Sequence, residues 1–401
     1  MLEIKSWVRL LSCAGLLAAC SDDGDDTKGT ASGAAEGSAG EVASAGAGGK
    51  ANAAGAGGKA NAAGQGAAGA SAATKVDLAA FEATGLTKYR GKAKPARTES
   101  EGDETHYFFD EADGPVCLRG GQYAMATRDR GSQDLVIFLQ GGGSCNSNLC
   151  RATETANPKI PARAVLDANL DVNPVKDWNV VYAPYCDGSL HFGDSDIPDQ
   201  NRKHHGLRNT SAALDVAVEK FPKPRRVLLT GASAGGYGTI WITALVRLAY
   251  PDAELFVLND AGIAVANPAN ANGFRSVLGE WGATQFIPEG CEECKTSPHL
   301  TSWMSWNLQH DPTLKLGMFS AYEDSVIAGT FLMIDSKVFK QTLLDETAKV
   351  VEVAPDRAKR FLIEGTQHTI GDLSRTAVGD ETVAKWLGKM LEGEGWDNVL
   401  Q

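Results

Sequence analysis

Ser233 stands in Gly231-Ala232-Ser233-Ala234-Gly235, with a glycine two residues before the serine and another two after, directly beyond the apolar run 226–230. A strand that turns sharply into a helix at such a site lifts the hydroxyl clear of its neighbours, and the chain passes so close to itself that only tiny residues fit at the flanks. The chemistry this predicts is nucleophilic attack, but a serine hydroxyl is a weak nucleophile until a base takes its proton. His368, five residues past the apolar run 361–363, is the histidine that a strand-end loop would deliver. His106, His204, His205, His299 and His310 lie in polar stretches away from a strand end, and His191 sits in a loop that suits a substrate contact. The orienting carboxylate has three candidates: Asp324 after the run 315–320, Glu323 beside it, and Asp260 after the run 254–258. Asp324 is preferred because Ser, Asp and His then follow in the order that one class of fold uses. The bland alternative is a Gly-rich turn or a phosphate loop, yet no Gly-Lys-Ser/Thr follows to hold magnesium or terminal phosphates.

Acyl transfer also needs backbone N–H groups for the developing oxyanion, drawn from two places. Ala234, next to the serine, supplies one, and Gly141-Gly142-Gly143-Ser144 after the run 134–140 lets the chain approach a substrate closely enough to supply the other, through Gly143 and Ser144. The elements that would carry these loops alternate. Short apolar runs at 134–140, 179–182, 226–230, 254–258, 315–320 and 360–363 read as buried strands, and 207–220, 237–250, 339–351 and 381–391 read as helices, with Asn209 or Thr210 available to cap the first. This predicts an α/β fold of the α/β-hydrolase kind, a mostly parallel central sheet with helices on both faces and an insertion or cap around 264–312.

A chain of 401 residues with 43% hydrophobic content can bury a large core, which excludes a peptide hormone, a single repeat module or a coiled coil. The net charge of -12, without a basic block, excludes the phosphate-neutralising surface of a nucleic-acid partner. Residues 27–74 are almost wholly Ala and Gly with small polar residues, a composition that cannot form a core. Ahead of them, Lys5 and Arg9 precede the apolar run 10–19, too short for a membrane span and ending in Leu17-Ala18-Ala19-Cys20. This resembles the lipobox of bacterial lipoproteins. It predicts a signal peptide at 1–19, lipidation of Cys20, a disordered tether over 20–74 and a catalytic domain over 75–401, exported and held to the cell envelope, most simply at the outer membrane or cell surface. The remaining Cys117, Cys145, Cys150, Cys186, Cys291 and Cys294 then face an oxidising compartment. Short spacing favours Cys145 with Cys150 and Cys291 with Cys294, which leaves Cys117 for Cys186; the rival for Cys291 and Cys294 is half a zinc site with His299.

Val116-Cys117-Leu118, Leu139-Gln140-Gly141-Gly142-Gly143-Ser144-Cys145, Tyr185-Cys186-Asp187-Gly188-Ser189, the Ser233 turn, Asp260-Ala261-Gly262 and the 365–368 turn, taken in this order, resemble the pectin acetylesterase and Notum family of serine carboxylesterases. The resemblance implies removal of acyl groups by a Ser/His/Asp mechanism without metal or cofactor, with Ser233, His368 and Asp324 in those roles and Gly142, Asp187 and His191 near the substrate. Two positions depart: the family has an aromatic residue where Ser144 stands and an acid where Gln140 stands, so acyl-length preference does not carry over. The expected function is hydrolysis of small acyl esters, with O-acetylated polysaccharide as the first candidate and a monomer as the working form. The competitors are a lipase, thioesterase or polyester depolymerase of the same fold, and a catalytically silent surface lipoprotein that binds glycan through Trp281, Trp303 and Trp306.

Overall fold

The structure is a computed structural model that describes residues 75–270 and 272–401. All of these belong to the compact unit Ala68–Gln401. The expected signal peptide, Cys20 and the tether lie outside the described residues.

Ten strands form one sheet: β1 (Arg97–Glu101), β2 (Glu104–Phe108), β3 (Ala124–Arg128), β4 (Asp134–Leu139), β5 (Asn179–Ala183), β6 (Arg226–Ala232), β7 (Glu254–Asp260), β8 (Lys315–Ala321), β9 (Ala358–Ile363) and β10 (Val399–Leu400). Their spatial order is β1-β2-β3-β5-β4-β6-β7-β8-β9-β10. From β5 to β10 every pairing is parallel, while β1, β2 and β3 extend the sheet as an antiparallel edge. The central strands are apolar on both sides because both sides are covered. Leu135, Ile137, Val227 and Leu229 face one core, whereas Val136, Phe138 and Leu228 face the other. The first core is filled by Gly206–Lys220, Ala234–Ala249, Thr301–His310 and Ser336–Val353, and the second by Val383–Glu392 through Trp386, Leu387 and Met390. This is the expected α/β-hydrolase-like architecture.

The helix Ala234–Ala249 lies deepest, buried from Ala234 to Arg247. A helix without a polar face must sit inside a core. Arg247 is its one charge there; its Nε donates to Asp311 Oδ2 at 2.7 Å and its Nη1 to the carbonyl of Ala253 at 2.7 Å, so the buried cation is both paired and hydrogen-bonded.

Several expectations need correction. Asn209 and Thr210 do not cap the helix that begins at Gly206; Asn209 instead brackets the backbone of Val116 through both its oxygen and its nitrogen, and the Thr210 hydroxyl donates to the carbonyl of His191. The antiparallel strands β1 to β3 escaped the sequence reading because β1 is exposed at every residue and lacks apolar alternation, while β2 (Glu-Thr-His-Tyr-Phe) and β3 (Ala-Met-Ala-Thr-Arg) mix polar and apolar residues instead of forming an apolar run. The segment between β7 and β8 does carry short helices, Gly273–Glu280, Glu292–Thr296 and Thr301–His310. Its tryptophans are core: Trp303 packs edge-on to Phe192 and Trp241, and Trp306 packs on Phe81, which removes the exposed aromatic platform that a glycan-binding lipoprotein would use.

The cysteines pair as spacing favours, Cys117 with Cys186, Cys145 with Cys150 and Cys291 with Cys294. His299, the third ligand of the zinc alternative, instead accepts the Ala266 N–H at Nδ1, 2.9 Å away. The bridge from Cys117 to Cys186 spans 69 positions, and constraining a loop of that length in the unfolded chain stabilises by about 4 kcal/mol. The double variant Cys117→Ala/Cys186→Ala is expected to lose roughly that amount in urea unfolding monitored by tryptophan fluorescence; an unchanged unfolding midpoint would show that the bridge contributes no stability.

Candidate active site

The chemistry-bearing residues leave the sheet at one end, the carboxyl ends of β4, β6, β7, β8 and β9, where ligands of parallel sheets bind. At the end of β6, Ser233 has φ 55° and ψ -118°, a conformation that residues with side chains rarely hold. Its N–H donates to the carbonyl of Asp260 at 2.8 Å, and the helix begins at the next residue. The flanking glycines are sterically required. A methyl at Gly231 would stand 2.5 Å from the backbone of Gly235, and one at Gly235 would collide with the carbonyl of Leu139.

Asp324 and His368 extend β8 and β9 as paired loops. Beyond the last strand residues, Tyr322 N donates to Ile363 O (2.8 Å), Glu323 N to Gly365 O (3.0 Å) and Ser325 N to Thr366 O (3.2 Å), so the loops are zipped together. Inside this zip, His368 Nδ1 lies 2.8 Å from Asp324 Oδ2. Asp324 is fully buried, and its other oxygen accepts the N–H groups of Val326 and Ile327 at 2.9 Å each, so its rotamer is locked by the start of the π-helix Ser325–Leu332. With Nδ1–H donating to Asp324, Nε2 is left as the proton acceptor. Among the described residues no hydrogen bond joins Ser233 to His368; in unliganded enzymes such contacts are often long and tighten with substrate.

The other acid candidates sit differently. Glu323 is half-buried, and among the described residues it is Asp324, not Glu323, that His368 meets. Asp260 uses its carboxyl to accept the Ile370 N–H at 2.8 Å, two residues past His368, while its carbonyl receives Ser233. It thereby ties the serine turn to the histidine loop. Burial pushes the Asp260 carboxyl up to about 7.

Gly143 has φ 83°, and a side chain there would collide with the Arg151 carbonyl across the hairpin of Gly143–Cys145 and Cys150–Ala152. Gly143 and Ser144 line the same cavity as Ser233 and Ala234. The turn is held from behind, since Tyr185 N donates to Gln140 Oε1 at 3.0 Å and His191 Nε2 lies 2.8 Å from Gln140 O. Burial lowers the His191 pKa, which keeps the ring neutral with Nε2–H as donor. Here the structure departs from the sequence expectation: Gly142, Asp187 and His191 do not line the cavity. Gly142 is packed against Tyr185 and Thr153, His191 is bonded to Gln140, and Asp187 is buried, accepting the N–H and hydroxyl of Ser189.

The cavity measures about 410 Å³. Its apolar wall is built by Phe274 and Val277 from the 273–280 helix and by Ile327, Phe331 and Leu332 from the π-helix, with Trp281 held in place by donating from Nε1 to the Cys145 carbonyl at 2.7 Å. Its mouth carries Asn146, Asn148, Asn267, Asn270 and Asn272. No motif announced these asparagines; their shared place emerges only when two loops, at 146–148 and 267–272, converge. A hydroxyl on a strained turn, a carboxylate-oriented imidazole and a loop of close-approaching backbone beside a mostly apolar cavity can together perform acyl transfer.

A family model described as pectinacetylesterase matches residues 98–303. That stretch contains Gly143, Ser233 and Asp260 and ends before Asp324 and His368. The palmitoleoyl-protein carboxylesterase Notum of Schmidtea mediterranea is 29% identical over 134 residues, 30% of this chain and 25% of its own length. Pectin acetylesterase 11 of Arabidopsis thaliana is 25% identical over 204 residues, 45% of this chain and 52% of its own length. Mouse Notum is 24% identical over 199 residues, 41% of this chain and 38% of its own length. The chain thus spans about half the length of that pectin acetylesterase and less of the Notum proteins.

The raised Asp260 pKa has a signed consequence. Between about pH 4 and 7 the unfolded chain ionises this group while the folded protein keeps it protonated, so its contribution to stability is present at acid pH and is lost as pH rises through about 7. Asp260→Asn removes the titration and keeps the acceptor for Ile370. Urea unfolding at pH 5 and pH 8 is expected to show the variant gaining on the parent by more than about 1 kcal/mol over that interval; parallel pH curves would contradict it.

Proposed function

The chain belongs to the pectinacetylesterase family, and from that premise we propose that it is a serine carboxylesterase that hydrolyses acyl esters, in the first place O-acetyl groups on polysaccharide. The observation that carries the reading is the 2.8 Å contact between Asp324 and His368 at the sheet end that also bears the strained Ser233. Ser233 Oγ attacks the ester carbonyl as its proton passes to His368 Nε2, and Asp324 stabilises the imidazolium that forms. The N–H groups of Ala234 and of the Gly143–Ser144 turn receive the oxyanion. Collapse of the tetrahedral intermediate expels the alcohol, protonated by His368, and leaves Ser233 acylated. Water, deprotonated by the same imidazole, then attacks the acyl-enzyme and releases the carboxylic acid with Ser233 restored.

A second reading keeps the mechanism and lengthens the acyl group. It is favoured by the apolar wall of Phe274, Val277, Ile327, Phe331 and Leu332 in a cavity of about 410 Å³, far larger than an acetyl group fills. A lipase, thioesterase or polyester depolymerase would use that wall. Export is part of the proposal: three disulfides suit an oxidising compartment, and lipidation at Cys20 would hold a monomeric enzyme at the cell envelope.

Hydrolysis of p-nitrophenyl esters from acetate to palmitate tests both readings. A maximum at acetate supports the acetylesterase, and a maximum at eight carbons or more, about the length that would use the apolar wall, supports the second reading. Ser233→Ala and His368→Ala are expected to lower kcat by about 10⁴-fold or more, and Asp324→Asn by about 10⁴-fold. Asp260→Asn is expected to cost less than about 10-fold. If Asp260→Asn proved the more damaging of the two acid variants, the assignment of Asp324 would be wrong.

A further inference from the structure

We infer that the alcohol half of the ester is an uncharged sugar, an O-acylated neutral glycan in preference to a polyuronate; this rests on the esterase reading above and deepens it. Among the described residues, none that lines the cavity carries a charge. A uronate carboxylate entering the mouth would shed water without meeting a lysine or arginine, and an unpaired anion in a partly dry site is costly. The cations nearby in sequence are engaged elsewhere or stand off the wall. Arg275, on the same helix as Phe274, donates to the carbonyls of Lys295, Thr296 and Ser297, and Arg151, opposite Ser144 in the hairpin, is exposed and outside the lining. The net charge of -12 works in the same direction.

What the mouth does offer is neutral donors. Asn146 Oδ1 accepts Asn148 N (2.9 Å) and Leu149 N (3.1 Å), Asn267 Oδ1 accepts Ala269 N (2.9 Å), and Asn270 Oδ1 accepts Asn272 N (3.1 Å) and Gly273 N (3.3 Å). Each oxygen is thus committed to its own loop, which determines the amide orientation and leaves the amino group, with two N–H donors, unpartnered among the described residues. These amino groups stand beside a cavity whose wall carries the partly exposed rings of Phe274 and Phe331. Sugar hydroxyls and ring oxygens accept from amides, and the C–H faces of a pyranose pack on aromatic rings. The acyl group then lies toward Ser233 and the sugar toward the asparagines.

The test measures acetate release by the full chain from three substrates: an O-acetylated neutral glycan such as acetylxylan, acetylated polygalacturonate, and an O-acetylserine peptide. p-Nitrophenyl acetate serves as the small-ester reference. The expected result is a kcat/KM on the neutral glycan at least about 10-fold above that on the polyuronate, a difference that survives about 0.5 M NaCl because it comes from an unpaired carboxylate at the site and not from screened long-range repulsion. Asn267→Ala/Asn270→Ala is expected to lower the ratio of glycan to p-nitrophenyl acetate kcat/KM about 10-fold, the loss of one to two donor contacts. Equal or faster hydrolysis of the polyuronate or the peptide, or an unchanged ratio in the double variant, overturns the inference while leaving the esterase standing. Failure to turn over p-nitrophenyl acetate as well would sink both readings.

Discussion

The arrangement depends on a crowding constraint at one residue. For Ser233 to project from the end of β6, the chain must reverse within a single position, and it does so at φ 55° with Gly235 pressed on the Leu139 carbonyl of β4 and Gly236 close to the Asp260 carbonyl of β7. Three adjacent parallel strands thereby meet at one turn. Strain of this kind persists only when the surroundings over-determine it, and here they do: the Ser233 N–H is tied to β7, and the helix that follows is buried along nearly its whole length. The glycine loop after β4 and the aspartate at the end of β7 inherit their positions from the same packing.

The proposed acid and base are placed by a second device, the continuation of the β8–β9 pairing past the ends of the strands. Because Tyr322, Glu323 and Ser325 bond the loop that carries His368, the carboxylate and imidazole move as one piece. Asp260 then joins that piece to the serine turn through Ile370. The site is therefore held by main-chain bonds and one buried carboxyl, which agrees with the general requirement that catalytic groups rest on rigid supports.

Much of this was legible in the sequence where side-chain type reports burial directly. The runs within β4, β6 and β7 are short apolar segments ended by glycine or a polar turn, and Ser233, Asp324 and His368 could be put forward because each follows a run that the structure forms as a strand, β6, β8 and β9. Legibility failed where tertiary contacts reassign a residue. Asn209 and Thr210 have the chemistry of helix caps, yet the protein uses them to hold Val116 and His191. Gly142, Asp187 and His191 were read as ligand contacts, but the fold commits them elsewhere: Gly142 to Tyr185 and Thr153, Asp187 to Ser189, and His191 to the Gln140 carbonyl. The π-helix Ser325–Leu332 has an apolar composition that a sequence reading cannot distinguish from a strand, and the asparagine mouth is assembled from loops more than a hundred residues apart.

The borders of the sheet bear on how the folded molecule behaves among its own copies. A ten-stranded sheet that left a long apolar strand at either side would offer unpaired N–H and C=O groups to any neighbouring chain. One border is β1, whose Arg-Thr-Glu-Ser-Glu sequence is exposed throughout and sets charge along the open side; the other is β10, only two residues long. Charge on one border and shortness at the other both disfavour the addition of a further strand, so copies of the enzyme are discouraged from joining edge to edge.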